Sequence, residues 1–286
     1  MAAPTISDYF VCVGAQKAST SWFLQALGRH PEIFTTPVKE IHYFDHVRGL
    51  TAHLDARRRR SRFRKYLQRL ATDLPRFSAY RAQWAWYRAY RQDPIDDAWY
   101  ARLFEHRSGR LMAGEATPEY AILGEEGFRH IKRLAPDTLV LFVMRNPVTQ
   151  AWSQFLHFEH KRDVRGVQGG LAGAVQFWES DYSARFRDYG GTIDGLLRVF
   201  GDTRTKFLFY EDMHADRAGA LASVAEFLGA RREPAWLNDL GQATNISSPR
   251  GVPAELRAYL VDRLRPVVRE VEERLGRVPR SWRDSL

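Results

Sequence analysis

Three short apolar runs, each ending in a polar turn that leads into a helical pattern, limit what this chain can fold into. Residues 9–13 read Tyr-Phe-Val-Cys-Val and stop at Gly14. Residues 138–144 read Thr-Leu-Val-Leu-Phe-Val-Met and break at Arg145, Asn146 and Pro147, while residues 206–210 read Lys-Phe-Leu-Phe-Tyr and pass into Glu211 and Asp212. Unbroken β-branched and aromatic runs of this length predict strands buried on both faces. Helical composition follows at about 20–29, 148–159 and 217–228. Strand, turn and helix in alternation predict an α/β fold of three layers, with a central, mainly parallel sheet flanked by helices. Ligands in such folds bind at the carboxyl ends of the strands, and all three junctions here carry polar or charged residues. The site is expected there.

From about residue 50 to 97 the pattern changes. The stretch has no strand signal and is heavy in Arg57, Arg58, Arg59, Arg60, Arg62, Arg64 and Lys65, then in Trp84, Trp86, Tyr87 and Tyr90. It reads as a helical insertion over the sheet, an acceptor-side lobe within a single domain covering 1–286, punctuated by Pro75 and Pro94. The run at 57–60 has two readings: a solvated helix face, which is the ordinary one, or a surface for an acidic glycan or for peripheral contact with lipid headgroups. Trp84, Tyr87 and Arg91 fall on one helical stripe, suited to stacking on sugar rings but more simply a buried face. Residues 254–275 form another amphipathic helix, whose Leu256, Leu260, Leu264 and Val267 should pack against the body.

With 43 Lys and Arg against 34 Asp and Glu, the chain carries +9, which favours an anionic ligand without choosing among nucleotide, acidic glycan, nucleic acid and lipid. Its one cysteine, Cys12, rules out an intrachain disulfide and reads as a buried small hydrophobe. The first residues carry no basic leader, and the apolar run at 139–144 is far too short to cross a bilayer, so a cytoplasmic protein is expected.

The first strand-to-helix loop is the informative one. Gly14, Ala15, Gln16, Lys17, Ala18, Ser19, Thr20 and Ser21 are mostly small, and such a loop opens backbone N–H groups to an anion at a helix N-terminus. Lys17 adds a point charge, and Ser19, Thr20 and Ser21 add hydroxyl donors. The spacing is not that of the nucleotide-triphosphate P-loop, because Lys17 comes too early and no Gly-Lys-Ser/Thr ending follows.

The loop does not stand alone. Lys39, Glu40, Ile41, His42, Tyr43, Phe44 and Asp45 form a second motif, and Arg145-Asn146-Pro147 with Ser153 a third. Weaker members of the same series are Trp99 and Tyr100 and the run from Gly114 through Glu115 and Thr117 to Tyr120, between the second and third motifs, and the late Ser248, Pro249, Arg250 and Gly251. Together these resemble the PAPS-dependent sulfotransferases, with the closest similarity to the glycan-modifying, heparan-type branch. The resemblance spans nearly the whole chain except the arginine-rich insertion, and it implies a P-loop-like fold.

What the resemblance implies is specific. Gln16, Lys17, Ala18, Ser19, Thr20 and Ser21 would hold the 5'-phosphosulfate of PAPS, and Trp22 would stack on its adenine, although Trp22 reads more simply as core. Arg145 and Ser153 would hold the 3'-phosphate, and Ser248, Arg250 and Gly251 would belong to a loop closing on the nucleotide. Glu40 matches the family's catalytic glutamate and is the first choice of general base. Lys17 would stabilise charge growing on the departing phosphate. In a strand-like reading of residues 39–44, His42 shares a face with Glu40 and either assists it or merely hydrogen-bonds. Lys39, Glu115 at a strand end, and Thr117 would face the acceptor, a hydroxyl or amine on a glycan or small glycosylated molecule. PAPS would be the donor and PAP the product, with no metal and no nucleic-acid partner. Two departures stand out: Ala18-Ser19 replaces a small residue and Gly, which leaves the loop less backbone freedom, and Ser21 replaces a frequent Thr or Arg. A slightly altered loop that still binds phosphosulfate is expected.

Two rivals remain at this stage. A P-loop-like nucleotide kinase would need Mg²⁺ ligands and the Gly-Lys-Ser/Thr ending. A basic module binding nucleic acid or acidic glycan without catalysis would use the insertion but leave the ordered motif series unexplained.

Overall fold

A computed structural model describes residues 4–107, 109–161, 170–238 and 251–284. From the N-terminus the chain runs β1 (Tyr9–Gly14), α1 (Thr20–Leu27) and β2 (Ile33–Thr35), then α2 (Tyr43–Val47), α3 (Ala56–Thr72), α4 (Phe77–Ala82), α5 (Trp84–Tyr90) and α6 (Asp97–Glu105). Next come β3 (Met112–Ala116), α7 (Gly124–Leu134) and β4 (Leu139–Met144), followed by α8 (Pro147–Lys161), α9 (Gly170–Glu179), α10 (Asp181–Arg185) and α11 (Tyr189–Phe200). β5 (Thr205–Phe209), α12 (Tyr210–Ala215), α13 (Arg217–Phe227), α14 (Pro234–Asn238), α15 (Ala254–Leu275) and α16 (Arg280–Arg283) complete it.

The three apolar runs of the sequence are β1, β4 and β5, and they are contiguous in a parallel sheet of order β2-β3-β1-β4-β5. β1 lies at its centre with all six residues buried, which is why its sequence shows no polar alternation. Phe10 pairs with Gly114 on one side and Leu139 on the other. Gly114 has to be glycine, because a Cβ there would stand 2.3 Å from the Phe10 carbonyl oxygen. β1 and β4 are neighbours whose chains leave in opposite directions, towards β2 and β5, and this opens a crevice above their carboxyl ends. α1 packs on β2 and β3 and meets α13, while α7 and α11 pair and α11 lies along β4 and β5. Right-handed crossovers put those two groups on opposite faces of the sheet.

α3 starts where Asp55 caps it, its Oδ1 accepting from the Arg58 N–H at 2.8 Å. It buries a stripe of Arg59, Phe63 and Tyr66, and Tyr66 stacks on Tyr87 of α5 at 4.0 Å between ring centres. The run at 57–60 is therefore not a uniform solvated face. Arg59 is buried, donating to the Gln92 carbonyl at 2.9 Å and the Tyr90 carbonyl at 3.3 Å and pairing with Asp93, so it ties the lobe together. In α15, Leu256, Leu260 and Leu264 join Val148 and Phe155 of α8 and Phe177 of α9 in a second apolar cluster. Val268 is the fully buried residue one position beyond the expected Val267.

Candidate functional site

Above β1 and β4 lies a cavity of about 540 Å³, lined on one side by Gln16, Lys17, Ser19, Thr20 and Ser21 and on the other by Lys39, Glu40, His42 and Glu119. The loop after β1 turns through left-handed backbone at Lys17 (φ 65°) and Ser19 (φ 60°) before α1 begins. Ser19 thus occupies, as a serine, the conformation a glycine adopts without cost. No side chain caps α1: the Ser19 hydroxyl meets His214 Nε2 at 3.1 Å instead. The first-turn N–H groups of α1 have no intrahelical acceptor and stand beside Lys17, which makes an anion site of the phosphate type. That donor set fits a phosphosulfate.

The loop is held from behind. Arg145 donates from Nη1 to the Lys17 carbonyl at 2.8 Å and from Nε to Thr149 Oγ1 at 3.1 Å, with its guanidinium 4.6 Å from the Tyr210 ring centre. Gln150 donates to the Gln16 carbonyl at 3.0 Å. The Gln16 side chain accepts from Gln154 at 3.0 Å and donates to Glu119 at 2.8 Å and to the Tyr182 hydroxyl at 3.1 Å. Burial pulls the Arg145 pKa down from its usual value. Arg145 and Ser153 are both buried and neither lines this cavity, and Arg145 ties the loop to α8 through the Lys17 carbonyl and Thr149. Trp22 is buried under α1 with Arg217 5.4 Å from its ring centre, a core position. Gly251 is an exposed loop residue, and Ser248 and Arg250 lie outside the described residues.

Residues 39–44 are not a strand. Glu40 (φ 58°) and His42 (φ 62°) are both left-handed around the buried Ile41, and α2 begins directly after them. The shared face expected of a strand is absent, yet the two side chains do meet: His42 Nε2 lies 3.9 Å from Glu40 Oε2. Lys39 Nζ sits 2.5 Å from Glu40 Oε1. Burial alone would raise the Glu40 pKa, but Lys39, His42 and Arg62 outweigh it and hold the carboxyl below its usual value. Burial opposes charge on His42 too, yet the hydrogen bond to Asp45 (2.8 Å from Nδ1), Glu119 and Glu40 raise its pKa. The imidazolium is favoured. Glu119 moves the other way, pushed up by burial and by Glu40. Among the described residues, five that are not glycine have positive φ, and Lys17, Ser19, Glu40 and His42 are four of them. Backbone held in costly wells around one cavity marks a site built for a task.

Glu115 and Thr117 lie beneath this wall and do not line the cavity. Glu115 Oε1 accepts from Tyr100 at 2.5 Å and Tyr120 at 2.8 Å, and Oε2 from Thr117 at 2.6 Å and the Ile41 N–H at 3.2 Å. Glu115, expected to face the acceptor, is fully buried here and supports the Glu40 turn through Ile41. Arg58 and Arg62 of the arginine-rich insertion also line the wall, and sequence reasoning missed His53, His157, Phe158 and Tyr182 there. Spacing offered no ligand cluster, but the fold brings His42, His53 and Glu119 atoms within 4.8 Å of one another. Arg58 donates to His53 Nδ1, and Lys17, Lys39 and Arg62 face the same space, so a metal cation would meet opposing charge there.

A sequence model described as the sulfotransferase family matches residues 10–234. Among curated proteins, heparan sulfate glucosamine 3-O-sulfotransferase 6 of Mus musculus is 30% identical over 141 residues, 47% of this chain and 40% of that protein. Heparan sulfate glucosamine 3-O-sulfotransferase 3B1 of Homo sapiens is 29% identical over 142 residues, 47% of this chain and 35% of that one. The chain therefore spans well under half the length of these relatives. In fold, the sulfotransferase from Alicyclobacillus acidocaldarius superposes with a TM-score of 0.66 at 20% identity, over 99% of this chain and 100% of its own. A mouse sulfotransferase complexed with PAP gives 0.51 at 14% identity, over 99% and 89%. With most of its length matched by the family model and its fold superposing on that of a solved sulfotransferase, this chain belongs to the sulfotransferase family.

Proposed function

We propose that this protein transfers a sulfuryl group from PAPS to a hydroxyl or amine of a glycan or other sugar-bearing acceptor. One observation carries the reading: an uncapped helix N-terminus with Lys17 faces Glu40 across a single cavity. The names of the curated relatives, which act on heparan sulfate glucosamine, support a glycan acceptor.

In this reading Glu40 takes the proton from the acceptor oxygen or nitrogen as that atom forms its bond to sulfur. The bond between sulfur and the bridging phosphate oxygen breaks, and its electron pair stays on the departing PAP. Lys17 and the α1 N–H groups meet that growing charge, so they bind the transition state more tightly than the ground state. His42, charged and bonded to Asp45, orients Glu40 and lowers its pKa. Lys39 shares that work and lies within reach of the sulfonate. Arg145 and Ser153, with Arg250 and Gly251, take the 3'-phosphate side, and the lobe at about 50–97 serves the acceptor. PAPS is the one co-substrate in this scheme, and no metal takes part.

Calorimetric titration with PAP against ADP tests the donor class. PAP should bind at least about tenfold more tightly, and Lys17→Ala should cut turnover about a hundredfold while acceptor binding persists. Equal affinity for PAP and ADP would overturn the donor assignment and favour a basic binding module.

A further inference from the structure

We propose that the outer face of the α3–α5 lobe docks on an anionic lipid bilayer. Residues 56–91 carry twelve Lys or Arg and a single acidic residue, Asp73. Set against the chain's +9, this leaves the rest of the molecule slightly negative, so the positive charge of the protein is concentrated in one lobe. Its inner stripe is spoken for: Arg59, Phe63 and Tyr66 are buried, and Tyr66 stacks on Tyr87. Arg57, Arg60, Arg64, Lys65, Arg69 and Arg76 are exposed.

Charge alone would suit any polyanion. What selects a bilayer is the apolar surface interleaved with it: Leu74 is 76% exposed, Phe77 44%, Trp84 41% and Leu67 38%. These are half of the large hydrophobic side chains exposed among the described residues, gathered between positions 67 and 84. A polysaccharide or nucleic acid offers nothing to a leucine standing open in a turn, whereas the headgroup boundary takes leucine and aromatic side chains while arginines pair with lipid phosphates. No helix among the described residues is long and apolar enough to cross a membrane, so the contact is peripheral. Reversible anchoring of this kind needs both signals, apolar insertion and basic attraction, and the lobe presents both.

The test is flotation of the whole protein with vesicles of phosphatidylcholine alone and with about 30% phosphatidylglycerol, at about 0.1 M salt. Binding is expected only to the anionic vesicles. Leu74→Ser with Phe77→Ser leaves charge untouched and should weaken that binding about tenfold or more, while retention on immobilised heparin and PAP affinity stay unchanged. No binding to anionic vesicles would overturn the proposal. Equal binding by the double variant would also overturn it, and would point to an acidic polysaccharide as the partner. A second readout does not depend on the double variant folding. Cys12, the sole native thiol, is buried and its pKa is pushed up to about 12 by that burial, so an environment-sensitive dye on Leu74→Cys reports position 74 alone. Its emission should shift to the blue with anionic vesicles and not with heparin, and an unshifted emission with the vesicles counts against the proposal.

Discussion

Glu40→Gln should lower the turnover of sulfuryl transfer about a thousandfold and leave PAP affinity within about twofold. Glutamine keeps the shape and an oxygen for Lys39 to donate to, so the wall persists while the proton acceptor is lost. The pH dependence separates Glu40 from its neighbour. Its pKa in the folded protein is held below the free value by Lys39, His42 and Arg62 against the pull of burial. A depressed carboxylate is fully ionised above its unfolded pKa, and protonates only as pH falls through the lower folded value. The acid limb of kcat/KM should therefore lie below about 4.3, the value for an isolated glutamate. A limb at or above about 6.5 would instead belong to His42, whose pKa is raised. That outcome, or full activity in Glu40→Gln, would remove Glu40 from the role of base.

The second large effect is on stability. Glu115→Ala removes at once the acceptor of four buried donors, the hydroxyls of Tyr100, Tyr120 and Thr117 and the Ile41 N–H, of which the Tyr100 hydroxyl keeps the Tyr9 hydroxyl as a partner. Leaving buried polar groups unpaired costs about 1–3 kcal/mol each, not additively, so the variant should lose about 4 kcal/mol. That corresponds to a fall in Tm on the order of 10 °C for a chain of this size. Glu115→Gln retains the volume and one accepting oxygen and should lose less. Burial, outweighing the four hydrogen bonds, raises the Glu115 pKa above its usual value. The folded state therefore holds its proton more tightly than the unfolded state. The stability this gives is full below the ordinary carboxylate range and declines as pH rises through the raised folded value. Thermal melts across that window check both points, and a loss under about 1 kcal/mol in the alanine variant would show the cage to be dispensable.

How much of this was legible in the sequence varied by element. β1 and β4 announce themselves because they are almost wholly buried and built from apolar, largely β-branched and aromatic residues, and β5 because its Phe-Leu-Phe run stands out although the middle of this edge strand is only half-buried. β2 spans only Ile33–Thr35, too few residues to show a period. β3 reads Met-Ala-Gly-Glu-Ala, with no β-branched residue, and showed only as the strand end at Glu115. Its glycine is demanded by Phe10 across the sheet and its glutamate by donors from three other segments, and neither demand has a local signature.

The site divides the same way. The loop at 14–21 and the string at 39–45 carry their chemistry in consecutive residues, and the fold brings both to the lining of one cavity. His157 and Tyr182 reach that wall from α8 and α10, at distances along the chain no motif spans. The insertion offered one usable signal. Arg59, Phe63 and Tyr66 recur at helical spacing, which marks the buried stripe of α3 and so sets Arg58 and Arg62 beside it, towards the cavity.

The left-handed residues around the cavity bear on how this protein would respond to selection. Each non-glycine residue in that conformation costs on the order of 1 kcal/mol, and Lys17, Ser19, Glu40 and His42 all carry the cost. The rest of the fold keeps them there. A library screened for heat resistance alone would drift at these four positions towards glycine or asparagine, which rest in that well at little cost. Such a lineage would melt later and turn over less. On the proposed mechanism, thermostability and catalytic competence would thus be set against each other at four addresses in the chain, and a screen that scores both would be needed to keep lysine, serine, glutamate and histidine where they stand.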